Sequence, residues 1–298
     1  MFEEAQLYSP VTTGAEGEVV VHLFAGHPGA GDSDYRRRRN EIAAAALRWR
    51  AGDAAPPIDY QDDEQAVWRT VCRELAPLHE RLAVGEFRDA LARLRLPTDR
   101  VPSLDEVSAR LVGISSGWRY VPAAGLVDLR TFYTALADRT FHSTQYVRHP
   151  ALPLYTPEPD IVHEVIGHGH LLATPTFGEL HRRAGAAAQR LREVESLRFL
   201  SRVFWFSLEF GVVVEDGELR AYGAGILSSY GEIGQFRAMQ LRPLHLREMG
   251  TVDYDITTYQ PVLYRAESVA EIEAVVGRFF DTCTDESIEE LRHEHAVA

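Results

Sequence analysis

Metal-ligating side chains crowd into PDIVHEVIGHGHLL, residues 159–172, which contains His163, Glu164, His168 and His170. The zinc-hydrolase signature H-E-x-x-H places its histidines at i and i+4 on one helical face. Here the order is H-E-x-x-G-H, at i and i+5. On a regular α-helix, five residues leave His168 roughly 140° away from His163. Both reach one metal only if the helix ends or distorts between them, and Gly167 is the residue type that permits it. The spacing argues against a zinc protease and asks for a third ligand from elsewhere. Glu209, inside VFWFSLEFGVVV, is the best candidate, because a carboxylate in so apolar a stretch is costly to bury unless paired or metal-bound. Two neutral imidazoles and one carboxylate leave coordination positions open, the facial arrangement of non-haem Fe(II) oxygenases. The aromatics Phe204, Trp205, Phe206 and Phe210 favour an oxygen-activating site over an ordinary buried ion pair.

The elements that must hold these residues are mostly helical. Asp34 to Ala51 reads as a helix stopped by Gly52. Val67, Val71, Leu75 and Leu78 recur on one helical face between Gln61 and Leu82. Capping boxes at Ser103–Glu106 and Ser268–Glu271 open two more helices, the second with Ile272, Val275, Val276 and Phe279 inward. TFYTALADRTF, between Asp128 and His142, predicts another. Phe210 to Val214 and Glu218 to Tyr222 flank Glu215-Asp216-Gly217 and read as a β-hairpin, and Val19 to Leu23 is β-like. The expected fold is mainly α with small β-hairpin elements (α+β): an arm over residues 1–25, one catalytic domain over 26–285, and a tail over 286–298.

Composition narrows the function. Against 44 Asp and Glu stand 31 cations, all arginine, for a net charge of −13 in 298 residues. An acidic chain lacks the attraction to phosphate that nucleic-acid binding needs. The sequence contains no apolar run near the ~18 residues of a membrane span, and MFEEAQLYSP lacks the features of a signal peptide. Two cysteines, Cys72 and Cys283, suit a reducing compartment, so a cytoplasmic location is expected.

The segments FHSTQYVRH (141–149), LYTPEPDIVHEVIGH (154–168), FWFSLEFG (204–211) and AYGAGILSSYGE (221–232) closely resemble the aromatic amino acid hydroxylases, which use tetrahydropterin and non-haem iron. The resemblance covers about 250 residues. It implies iron ligands at His163, His168 and Glu209, and a substrate-carboxylate arginine at Arg148, oriented by Asp160. A guanidinium suits that task because it offers a bidentate fork and stays charged. Pro159, Trp205, Phe210 and Ser228 match positions around the substrate ring and amino-acid head. The resemblance also implies that tetrahydrobiopterin stacks on Phe132, meets the backbone of Gly125, Leu126 and Val127, and is reached through water by Glu164. Fe(II), pterin, O₂ and an aromatic amino acid would then share one pocket closed to water.

Three departures from the family pattern stand out. His170 replaces a usual proline and is expected close to the iron pocket, as a residue that binds water, shapes substrate entry, titrates as a fourth group or is merely tolerated, in preference to a direct iron ligand. Phe204 replaces a common tyrosine, and Asp128 and Leu129 replace the serines of the pterin loop. Trp205 resembles the phenylalanine and tyrosine enzymes, and the apolar Ile256 argues against a phenol substrate, whereas ITTYQ is more like the tryptophan enzymes. The expected reaction is L-phenylalanine to L-tyrosine, with tryptophan hydroxylation or a retuned member of the family as the alternative and a zinc hydrolase using Glu164 as base as the remote one. The C-terminus, DESIEELRHEHAVA, is too short for a tetramerising coiled coil, so a monomer is expected.

Overall fold

Helices start where the chain supplies an acceptor for the free backbone N–H groups of a first turn. In the computed structural model, which describes residues 9–293 apart from 115, 126, 256 and 257, Asp32 accepts from the N–H groups of Asp34 and Tyr35 to open α1 (Ser33–Arg48). Ser103 accepts from Glu106 at 3.1 Å and opens α4 (Leu104–Gly113), as the capping box predicts. Between them run α2 (Asp62–Leu82) and α3 (Gly85–Leu94). Val67, Val71 and Leu75 are buried on α2, with Leu78 half-buried beside them. Ser268 likewise accepts from Glu271. The helical run it opens turns π-helical over Glu273–Gly277, which leaves Val275 half-buried and carries Phe280 inward beside Phe279.

Two segments depart from expectation. TFYTALADRTF is not one helix: α5 spans Leu129–Leu136, and Arg139, at φ 52°, turns the chain into strand β4 (Thr140–Ser143). Asp128 has a plain structural task there, capping α5 by accepting from the Thr131 N–H at 3.0 Å. At the C-terminus, Asp285–His293, where a tail was expected from 286, forms a helix whose Ile288 is fully buried.

Three small sheets are described. β1 (Val11–Thr13) and β2 (Val19–Val21) form an antiparallel hairpin, tied to α1 by the Val21 N–H donating to Asn40 Oδ1. β3 (Arg119–Pro122) pairs in parallel with β4 across α5, so the loops that follow them, 123–128 and 144–160, leave at the same end. The expected hairpin is β5 (Val212–Glu215) and β6 (Glu218–Ala221), turned by Asp216 and Gly217, both at positive φ as a type I′ turn requires. It belongs to a larger sheet of order β6-β5-β8-β7, with β7 (Gln240–Pro243) and β8 (Val262–Ala266) joined in parallel. Among the described residues no helix is long and apolar enough to cross a membrane.

Two π-helical segments, His163–Gly169 and Trp205–Glu209, interrupt the packed interior beside α6 (Pro175–Arg190) and α7 (Val194–Phe204). In the second, the Phe210 N–H donates to the Trp205 carbonyl, an i→i+5 bond. The widened turn of the first supplies the distortion that the i+5 histidines demanded. Gly167 serves it by its small size, not by backbone freedom: a Cβ there would stand 2.7 Å from the backbone oxygen of Ala224 in α8 (Ala224–Ser228). Gly167→Ala should therefore force α8 off the π-segment at a cost of about 1–3 kcal/mol. Thermal denaturation of the two proteins checks this, and an unchanged melting temperature would refute the close approach.

Candidate active site

His163, His168 and Glu209 come together. Their ligand atoms all lie within 4.8 Å of one another, with Glu209 Oε2 3.7 Å from His163 Nε2 and Oε1 3.0 Å from His168 Nε2. The proton positions follow from the surrounding bonds. His181 Nδ1 lies 2.7 Å from the Phe177 carbonyl and must donate to it, so its Nε2 accepts. That makes His168 Nδ1, 3.3 Å away, a donor and leaves His168 Nε2 bare. Ser228 Oγ donates to the Ala224 carbonyl at 2.8 Å, so it accepts from His163 Nδ1–H at 2.9 Å and His163 Nε2 is bare as well. Burial holds both imidazoles neutral, with pKa values lowered to about 4 for His163 and about 3 for His168.

Glu209 Oε1 is buried with no hydrogen-bond donor, because the nitrogen nearest to it carries a lone pair. Three electron-rich atoms therefore face one point, and a cation is what reconciles them. Two imidazoles and one carboxylate suit iron with open positions. Burial also raises the Glu209 pKa, so a proton competes with the metal for that carboxylate.

Arg148 sits beside this centre. Its Nε and Nη2 donate to Asp160 at 2.9 and 2.8 Å, and its backbone N–H adds a third bond. Asp160 also accepts from the backbone N–H of His163 at 3.2 Å, so one fully buried carboxylate fixes both the arginine and the start of the metal-bearing segment. Arg148, Pro159, His163, Trp205, Glu209 and Phe210 line one pocket of about 110 Å³, which Ser228 also reaches. Trp205 is held by donating to Gln260 at 3.1 Å and by stacking on Tyr254 at 4.4 Å.

The residues expected at the pterin do not all gather there. Gly125 and Val127 line a separate cleft against Val11 and Leu47. Phe132 is only 3% exposed and packs edge-on against Phe141, whose own ring lies 4.7 Å from that of His168. Glu164 is buried, and burial together with Glu209 and Asp160 pushes its carboxyl well above the ordinary value. Leu126 and Ile256 lie outside the described residues. Phe204 is buried and packs edge-on against His181 at 5.2 Å.

His170 requires a correction. It faces away from the metal pocket, into a cavity between the π-segment and helices α2 and α3, with its Nδ1 bonded to the Ile166 carbonyl at 2.8 Å. Two useful residues were not singled out in the sequence. His181, thirteen positions after His168, has no local motif to mark it. Glu232 lines the substrate-side pocket with Oε2 buried and unpartnered, and burial raises its pKa to about 7. A carboxylate just beyond ILSSYG among apolar neighbours was a readable signal.

The family described as biopterin-dependent aromatic amino acid hydroxylase matches residues 18–289. The chain is 47% identical over 260 residues to phenylalanine 3-hydroxylase of Streptomyces coeruleorubidus, covering 87% of this chain and 93% of that protein. It is 40% identical over 272 residues to phenylalanine-4-hydroxylase of Dictyostelium discoideum, covering 89% of this chain but 61% of that one. Chromobacterium violaceum phenylalanine hydroxylase, in a crystal structure with iron(III) and 7,8-dihydrobiopterin, aligns with a TM-score of 0.69 at 28% identity over 74% of this chain and 82% of that one. The apo structure of the cold-active Colwellia psychrerythraea 34H enzyme aligns at 0.72 and 29% identity over 81% and 91%.

Two outcomes are expected. His181→Phe removes the acceptor that orients His168 and should weaken Fe(II) or Co(II) binding roughly 10- to 100-fold; titration with unchanged affinity would refute that role. A proton also competes with the metal for Glu209, so affinity should fall as pH falls toward that raised pKa. Calorimetry in buffers of different ionisation enthalpy would count the released protons, and none released would mean Glu209 is already ionised.

Proposed function

Because the chain belongs to the biopterin-dependent aromatic amino acid hydroxylase family, and is an iron- and biopterin-dependent aromatic amino acid monooxygenase, we propose that it hydroxylates the ring of L-phenylalanine, with His163, His168 and Glu209 holding the iron. The observation that carries the substrate is one pocket with a clamped arginine, a carboxylate with one oxygen free and apolar walls beside the metal-ligand atoms. Iron and tetrahydrobiopterin, when bound, supply the activation of O₂ and the electrons for it. The chain's own residues bind and orient.

Asp160 occupies Nε and Nη2 of Arg148, which leaves Nη1 for the substrate carboxylate. Glu232 Oε2 takes the ammonium group, whose charge favours the ionised carboxylate. The ring lies against Trp205, Phe210 and Pro159, with Ser228 holding His163 in place beneath it. Gly125, Val127, Phe132 and Glu164 are assigned to the pterin, supported by their positions in the motif and by the place of Glu164 next to His163.

For the ring position, the 47% identity to the Streptomyces 3-hydroxylase, over nearly its whole length, favours oxygen at C3. The 40% identity to the Dictyostelium 4-hydroxylase supports the second reading, L-tyrosine. Iron-loaded enzyme supplied with tetrahydrobiopterin, O₂ and phenylalanine, tyrosine or tryptophan tests both. Products are separated against authentic 2-, 3- and 4-hydroxyphenylalanine. The expected product is 3-hydroxyphenylalanine; L-tyrosine moves the assignment to C4, and no turnover with iron bound sinks the function. Arg148→Lys keeps the charge but loses the fork. It should raise the KM for the amino acid roughly 10- to 150-fold while metal affinity holds.

A further inference from the structure

Behind the metal-bearing π-segment lies a second cavity, of about 260 Å³, with no part in the reaction proposed above. Its walls are apolar, supplied by Trp68, Leu75, Leu91, Leu96 and Ile166, and it opens to the surface past the exposed Ala76 and Thr98. An apolar cavity of about 150 Å³ is already large enough to take up benzene. The floor is not wholly apolar. His170, 4% exposed, donates from Nδ1 to the Ile166 carbonyl, so its Nε2 carries a lone pair, and no donor among the described residues reaches it. His79, beside it, donates from Nε2 to the Leu227 carbonyl at 2.6 Å. The floor therefore presents His170 Nε2, without a donor, at the base of an apolar funnel, beside His79, whose Nδ1 is likewise bare.

We propose that this cavity is a second ligand site for a neutral, single-ring aromatic molecule carrying one hydroxyl donor, a phenol, and that its occupancy is felt at the metal. The ring fills the apolar walls and the hydroxyl donates to His170 Nε2. Of the lining residues only Glu80, exposed at the rim, is charged, and no cation faces the cavity, so the carboxylate of a zwitterionic amino acid is disfavoured there. Both floor histidines sit on the scaffold of the ligands: His170 is two residues beyond His168, and His79 holds Leu227, next to the Ser228 that orients His163. A phenol bound here changes the packing of both supports at once.

The test uses Co(II)-loaded protein and phenol itself, with benzene as the analogue lacking the donor. Calorimetry should show phenol binding that saturating L-phenylalanine does not displace, with benzene weaker by roughly 3- to 10-fold, the worth of one hydrogen bond. The Co(II) absorption spectrum should shift as phenol saturates. His170→Leu should bring phenol down to the affinity of benzene, and Ala76→Trp, at the exposed rim, should abolish binding of both without touching the floor. Displacement of phenol by L-phenylalanine, or binding unaltered in Ala76→Trp, would place it in the substrate pocket and overturn the proposal. Absence of phenol binding would do the same, and an unmoved Co(II) spectrum on saturation would overturn the coupling to the metal.

Discussion

Mutual repulsion of three electron-rich atoms is the constraint around which this protein is arranged. Two imidazole nitrogens with bare lone pairs and a carboxylate oxygen lie within 4.8 Å, on the wall of a largely apolar pocket. Each is held there by bonds made elsewhere: His168 through His181 to Phe177, and His163 through Ser228 to Ala224. Those outer bonds set the tautomers, and the tautomers set the charge the centre accepts. Both ligand-bearing segments are π-helical, a form that ordinary packing seldom favours and that recurs at functional sites.

Metal and substrate share supports to an unusual degree. Asp160 clamps Arg148 with one edge and steadies the first turn of the His163 segment with the same carboxylate. Ser228 orients His163 and lines the pocket. Losing either partner of the buried Arg148–Asp160 pair strands a charge, which costs about 3–5 kcal/mol. Substrate recognition and metal geometry are thus mechanically one assembly, and pocket changes that spare one while altering the other must avoid Asp160 and Ser228.

Much of this was legible in the sequence because the signals were local. The i+5 histidines demanded a distorted helix, an apolar stretch around Glu209 demanded a cation, and capping boxes marked two helix starts. Arg148 was different: among 31 arginines only the motif around it could single it out. The parallel pairing of β3 with β4 was missed because TFYTALADRTF carries helical residues up to a break that depends on the left-handed backbone of Arg139. The orientation of His170 was misjudged because, two residues past a ligand, its direction depends on how far the π-turn extends. His181 was invisible, since nothing in its neighbourhood marks a partner on another helix.

The π-segment has a further consequence, in the currency of heredity. A π-turn is an α-turn with one residue added, and here the addition lies between His163 and His168. Removing the codon for Gly167 would leave H-E-V-I-H, the spacing of a hydrolase helix. A site that calls on a third ligand 41 residues downstream of His168 and a site that uses two histidines on one face are thus separated, in this stretch of gene, by three nucleotides.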